Sequence, residues 1–297
     1  MSKRTLAFLA AIGATTIYGI NHTLAKGIMP DYVTPFGFIF LRVVGAALLF
    51  WVIAPFGPRE KIERKDWGRL LGAAFLGMVV NMLSFFKGLE LSTPINSAVL
   101  VTISPIIVVV LSALFLKEKI TLNKGLGIAL GFVGALGLIL YGKELRQDAP
   151  NIPLGNTLFI INAATYGAYL IVAKKLVEKY HPFTLMRWLF TVAVVINFPI
   201  TFGDFSTIEW TTMPLNVYGV IAFVIVGTTF CTYLFNIFAM TELKASTIGA
   251  FIYVQPLFGI FFALFTGKDT LTQVKVVAAL LVLLGVYLAS RKAPRPS

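Results

Sequence analysis

Ten stretches of mainly apolar residues, each about 20 long, follow one another along the chain with short polar connections between them. They fall at 5–24, 34–54, 69–89, 94–116, 122–141, 153–173, 182–203, 214–239, 245–266 and 271–290. A run of about 20 apolar residues is the length of helix that crosses a bilayer. The strands of a membrane barrel would instead alternate over about ten residues. The pattern therefore predicts an all-α integral membrane protein of ten transmembrane helices, a single transmembrane domain over 1–297. The longest connections, near 55–68, 142–152 and 204–213, leave no room for a soluble ATPase, kinase or hydrolase module. Lys3 and Arg4 before the first run imitate a secretory signal, but that run continues without a break through Tyr18 and Asn21, so the expectation is an uncleaved first helix.

The pattern repeats at mid-chain. Pro105, eleven mostly apolar residues and then Lys117-Glu118-Lys119-Ile120-Thr121 are echoed by Pro256, eleven mostly apolar residues and Lys268-Asp269-Thr270-Leu271-Thr272. Tyr18-Gly19 matches Tyr166-Gly167, Lys26 matches Lys174, and Phe40-Leu41-Arg42 resembles Leu185-Met186-Arg187. The order is kept and the offsets are nearly constant. The chain thus divides into repeats at 1–141 and 153–290, with 142–152 as the loop between them. Five spans is an odd number, so the second copy crosses the membrane in the opposite sense to the first, an inverted repeat.

Charge sets the orientation. With the N-terminus in the cytoplasm, seventeen of the 25 lysines and arginines fall in cytoplasmic segments and six in outer ones, while Arg42 and Arg187 lie within spans. The expectation is N-in and C-in, in the inner (cytoplasmic) membrane, with 142–152 outside. This bias accounts for the net charge of +12 without nucleic acid as a partner, since the basic residues are scattered between long apolar runs. Composition agrees: 58 % of residues are hydrophobic and 13 % charged, against ~25 % charged in soluble domains. Cys231, the single cysteine, is placed in an apolar run and excludes an internal disulfide.

Polar residues inside the runs are the candidate chemistry, because hydrocarbon penalises a bare polar group. Tyr18, Asn21, Arg42, Asn81, Asn96, Tyr166, Tyr169, Arg187, Asn236, Tyr253 and Gln255 are the candidates for the wall of a substrate cavity. Two readings stand for the arginines: they bind a substrate carboxylate or a helix-end carbonyl, or they anchor helices to one another and to the interface. Many of the amides and hydroxyls serve equally as helix-helix contacts. His22 is a candidate proton-sensitive group or a helix contact, and His181 reads as surface. Pro105 and Pro256, near the middle of the fourth and ninth runs, are expected to kink those helices and free carbonyls. Glu118 and Asp269 are expected to pair with Lys117, Lys119 and Lys268 as latches near two gates. The fifth and tenth runs, almost wholly apolar or glycine, read as peripheral or dimer-facing helices, and the choice between monomer and homodimer stays open.

No catalytic constellation, phosphate loop or metal-ligand cluster is visible, so the sequence points away from an enzyme and implies no cofactor. All thirteen acids lie at span ends or in connections, which disfavours an ion site built on a buried carboxylate. A filter-like loop or ring of charges is also missing, and the duplicated halves with proline-bearing helices favour a carrier over a channel.

The chain resembles the EamA family of the drug/metabolite transporter superfamily. The resemblance rests on the segments Pro105–Thr121 and Pro256–Thr272, each a proline in a helix, an acid at its end and a hydrophobic-Thr step, with Gly125 and Gly127 in the helix after the first. The second copy departs from the family pattern, with aspartate for glutamate and no glycine opening the next helix. The resemblance implies a ten-helix carrier working by alternating access and exporting amino acids or related metabolites. Drug-like, sugar-like or nucleotide-linked solutes are the alternative. The implied partners are a small-molecule solute and the lipid bilayer.

Overall fold

The computed structural model describes residues 1–29, 31–92, 100–140, 151–265 and 273–290, and all regular structure among them is helical. The helices are α1 (Lys3–Lys26), α2 (Pro35–Ile53), α3 (Arg64–Leu91), α4 (Ser104–Phe115), α5 (Leu122–Leu140), α6 (Ile152–Val177), α7 (Pro182–Ser206), α8 (Leu215–Glu242), α9 (Ala245–Ala250), α10 (Gln255–Phe265) and α11 (Gln273–Ser290). Pro35–Phe56, α3, α6, α7 and α8 are each long and apolar enough to cross a membrane, and α4 is among the shorter apolar helices. Apolar residues also cover the outside: Leu114, Val195, Leu215 and Leu280 are each more than 60 % exposed. Such a surface suits lipid and would be a liability in water.

Local sequence sets the helix starts. Thr34 caps α2 by accepting from the Gly37 amide, with Pro35 in the first turn, and Asn151 caps α6 through the Leu154 amide ahead of Pro153. His181, which the sequence places on the surface, caps α7: its ring accepts from the Phe183 amide at the start of that helix.

The prolines act differently from the sequence expectation. Pro105 and Pro256 do not kink a continuous helix. Pro105 is the second residue of α4, after a turn at 102–103, and Pro256 is the second residue of α10, after the 3-10 segment Phe251–Val254 that separates it from α9. Proline disfavours helical geometry in the residue before it and suits a first turn, so each restarts a helix after a break. Two further irregularities occur at corresponding places: a π segment at Phe75–Val80 in α3 and another at Val224–Cys231 in α8.

Helices pack in antiparallel pairs. Along α2 and α7, Phe40 stacks on Phe205 while Phe50 meets Phe190 and Trp51 meets Trp188. Along α3 and α6, Asn81 and Asn162 exchange amide-to-carbonyl bonds of 2.9 Å in both directions. Asn21 of α1 accepts from Thr228 of α8 at 2.9 Å, and Phe235 further along α8 lies against Gly13. Helices α5 and α11 touch backbone to backbone: a methyl placed on Gly285 would lie 2.5 Å from the Gly131 nitrogen, and one on Gly134 2.7 Å from the Ala278 carbonyl oxygen. Small residues allow this approach, which replaces hydrophobic driving force with close van der Waals contact in lipid.

Candidate functional site

The bundle buries an arginine that has no counter-ion among the described residues. Arg42 is 6 % exposed, and its Nε donates to the Thr229 hydroxyl at 3.0 Å. That hydroxyl donates in turn to the Val224 carbonyl at 2.9 Å, a bond spanning five residues inside the π segment of α8. The guanidinium carbon lies 5.2 Å from the Phe86 ring centre, and Tyr18 and Tyr233 are the titratable groups beside it. Among the described residues no carboxylate pairs with Arg42, and its terminal nitrogens donate to no protein acceptor. A buried cation is costly unless paired and hydrogen-bonded.

Tyr18 and Tyr233 lie beside Arg42, and Tyr166 and Tyr169 extend the cluster beyond them. Tyr18 reaches Thr232 on α8, the Tyr166 and Tyr169 rings lie 6.3 Å apart, and Tyr169 and Tyr233 lie 6.5 Å apart. Tyr18 and Tyr166 are half-buried. Tyr169 is 2 % exposed and packs on Gly77, and its hydroxyl has no partner among the described residues. The Tyr233 hydroxyl donates to the Gly77 carbonyl at 3.1 Å, and Asn197 donates to the Met78 carbonyl at 3.2 Å. Both carbonyls belong to the π segment of α3, whose irregular backbone frees acceptors for side chains.

The sequence-derived candidates separate into groups. Tyr18, Asn21, Arg42, Tyr166 and Tyr169 come together, joined by Tyr233, Thr228, Thr229 and Thr232. Asn81 has its amide committed to Asn162. Asn236 is half-buried on α8, one turn beyond Thr232. Tyr253 lies away from the cluster, wholly buried beside Gly131, and its hydroxyl has no partner among the described residues. Gln255 is half-buried at the start of α10. Arg187 is not beside Arg42: it donates to the Glu60 carbonyl at 3.2 Å, between the rings of Trp51 and Trp188 at 5.3 and 5.8 Å. Asn96 and Asp269 lie outside the described residues, and so does the side chain of His22.

Glu118 does not pair with its neighbours Lys117 and Lys119. Lys117 takes a left-handed conformation (φ 54°) past the end of α4 and turns the chain back, and Lys124 of α5 binds Glu118 at 3.1 Å. Ser246 of α9 completes the cluster by donating to Glu118 and accepting from Lys124 at 2.8 Å. Both charged side chains are 9 % exposed. Lys124→Met leaves a buried carboxylate with only Ser246 as donor, and the expected loss is about 3 kcal/mol of stability. Chemical denaturation in detergent, compared with the charge-neutral double variant Glu118→Gln/Lys124→Met, measures it.

A second ionic cluster ties the 57–66 connection to the end of α6. Lys179 binds Asp66 and Glu63 at 2.6 Å each, and the Tyr180 hydroxyl donates to Asp66 at 2.7 Å. Bonding to Asp66 and then Glu63 lifts the Lys179 ammonium above the ordinary lysine range. Bonds from Lys179 and then Lys65 hold the Glu63 carboxyl below the carboxylate range. The Glu63 contribution is present above about pH 4 and fades as pH falls through the depressed value, while that of Lys179 is present below about pH 10 and fades above its raised value. Thermal midpoints are therefore expected to be flat with respect to this cluster between about pH 5 and 10. Lys179→Met is expected to remove part of the acid-side slope, read from melting curves between pH 3 and 6.

An all-helical bundle with an apolar outside, long apolar helices and a polar interior is that of a multi-pass membrane protein. The EamA-like transporter family matches residues 5–140 and again 153–291, and the chain belongs to that family. It is 23 % identical over 290 residues to the uncharacterized transporter YyaM of Bacillus subtilis, covering 97 % of this chain and 94 % of that one. It is 27 % identical over 277 residues to an uncharacterized transporter of Archaeoglobus fulgidus, covering 93 % and 96 %. A solved crystal structure shares the fold, with a TM-score of 0.78 over 96 % of each chain at 15 % identity.

Proposed function

We propose that the chain is a secondary or facilitative transporter that moves small carboxylate-bearing metabolites, amino acids above all, out of the cell across the inner membrane by alternating access. The observation that carries this reading is Arg42, a buried guanidinium with no carboxylate partner among the described residues, beside Tyr18 and Tyr233 in a cluster that continues to Tyr166, Tyr169 and Asn21. A carboxylate would take the free terminal nitrogens of Arg42 as a charge-assisted pair. Tyrosine faces and hydroxyls would hold the rest of a small zwitterion.

The mechanism rests on two inverted five-helix repeats, 1–141 and 153–290, with both termini in the cytoplasm. In support, the π segments of α3 and α8 and the breaks before Pro105 and Pro256 recur in the same order in both halves. Matched helices, α2 with α7 and α5 with α11, pack against each other antiparallel. Rocking one half against the other would expose the site to each side in turn. The Glu118–Lys124–Ser246 cluster would latch the cytoplasmic side, and Asp269 would serve the corresponding latch outside.

Counterflow tests the reading: proteoliposomes preloaded with single amino acids are assayed for uptake of the radiolabelled counterpart. Accumulation with at least one amino acid, lost with its carboxamide, is the expected result. Counterflow with none of them, alongside transport of a sugar or nucleotide, would sink it. A nucleotide-linked solute is the second reading, favoured by a basic cavity at one end of the bundle.

A further inference from the structure

That basic cavity has a volume of about 840 Å³ and is walled by the ends of α1, α4, α5, α6, α8 and α11, together with α9. Helices of both halves thus frame it. Its acids are largely committed: Glu118 to Lys124, and Glu178 to Lys174 at 3.8 Å. Lys174 also donates to the Met240 carbonyl at 2.6 Å, closing the end of α8. Five cations on the wall, Arg4, Lys117, Lys119, Lys175 and Lys244, have no acidic partner among the described residues, against Glu242 as the one such acid. The result is a concave, partly enclosed space of net positive charge. Low-dielectric walls focus such a field and raise the local concentration of counter-charged solutes. From Glu242 at this cavity to Tyr233 at the central site is nine residues of α8, about 14 Å.

We propose that this cavity is a second binding site, an antechamber in which an anionic solute carrying a carboxylate or phosphate group is captured before it reaches Arg42. It rests on the reading that Arg42 receives the anionic group, and it adds where solute is first held. The antechamber selects by charge, because four of its unpaired cations, Lys117, Lys119, Lys175 and Lys244, are exposed side chains on long stems. The central site then selects by shape, with one guanidinium fixed by Thr229. A solute with a net negative charge would be favoured over a neutral zwitterion at the first step. A carboxylate at Arg42 would be required at the second.

Calorimetric titration of inorganic phosphate and of succinate into the full chain, held in nanodiscs of zwitterionic lipid, tests this. The expected result is binding that weakens at least tenfold between about 20 and 200 mM salt, as screening shortens the field to about 7 Å. The triple variant Lys119→Glu/Lys175→Glu/Lys244→Glu, all exposed positions, is expected to lose it. Arg42→Gln is expected to keep phosphate binding, so failure of the antechamber and failure of the central-site reading are distinct results. Binding that is independent of salt, or unchanged in the triple variant, would overturn the proposal. So would phosphate heat that disappears when the discs contain anionic phospholipid, since a lipid headgroup would then be the resident of the cavity.

Discussion

Arg42→Met is expected to abolish transport while leaving the protein as stable as before or more so. The two effects have one cause. In the wild type the guanidinium is 6 % exposed, bonded to Thr229 and stacked near Phe86, with no carboxylate to neutralise it among the described residues. Burying an unpaired charge costs several kcal/mol, and replacing buried ions with apolar residues of similar volume is often stabilising, by about 1–4 kcal/mol. Methionine fills the space without the charge. A carboxylate solute would lose charge-assisted bonds worth about 1.5–3 kcal/mol each. Transport efficiency should fall by a factor of about 10–100 for each bond lost. A structural arginine would behave in the opposite way, with stability and activity falling together. Melting temperature and counterflow on the same preparation separate the two.

Gly285→Val is expected to prevent assembly of the bundle altogether. A Cβ there would lie 2.5 Å from the Gly131 nitrogen and 2.6 Å from the Gly127 carbonyl oxygen, so it meets backbone on a helix, which cannot swing aside. Overpacking usually costs about 1–3 kcal/mol where side chains relax. Here α5 and α11 must separate along their seam, and contacts at Gly134 are lost with those at Gly131. Gly125→Ala is the control. Its Cβ meets nothing within 4 Å, and removing a helical glycine should stabilise by about 0.5–1 kcal/mol. Expression in membranes and a monodisperse elution profile for Gly125→Ala, with neither for Gly285→Val, is the expected outcome.

Helix locations were legible because hydrocarbon demands long apolar runs, and α2, α6, α7 and α8 begin within a few residues of where the runs begin. The breaks were less legible. Pro105 and Pro256 marked the right places, but a proline in a run reads equally as a kink or as the first turn of a new helix. What chose between them was the conformation of the residues before each proline, which an apolar run conceals. The partner of Glu118 was missed for a related reason. Lys124 is six residues away, across the non-helical stretch 118–121, and the serine that completes the cluster, Ser246, comes from the other half of the chain, so no short spacing rule joins them.

The central cluster was half legible. Tyr18, Asn21, Arg42, Tyr166 and Tyr169 stood out as polar groups in apolar helices. Thr228, Thr229, Thr232 and Tyr233 were visible as a polar stripe on α8, but threonines in membrane helices so often bond their own backbone that their bonds to Asn21 and Arg42 could not be read from type alone. The two arginines sit in matching sequence but have different partners. Arg187 finds carbonyl and indole partners at the end of its helix, while Arg42 has an aromatic ring and one hydroxyl.

One competition measurement tests the role of Arg42 most directly: inhibition of counterflow by an amino acid and by its carboxamide, in wild type and in Arg42→Gln. The two inhibitors differ in the group that would meet the guanidinium. Wild type is expected to prefer the carboxylate by at least tenfold, and Arg42→Gln to lose the preference. Equal inhibition by both in the wild type, or the same preference in both proteins, would contradict a carboxylate site at Arg42.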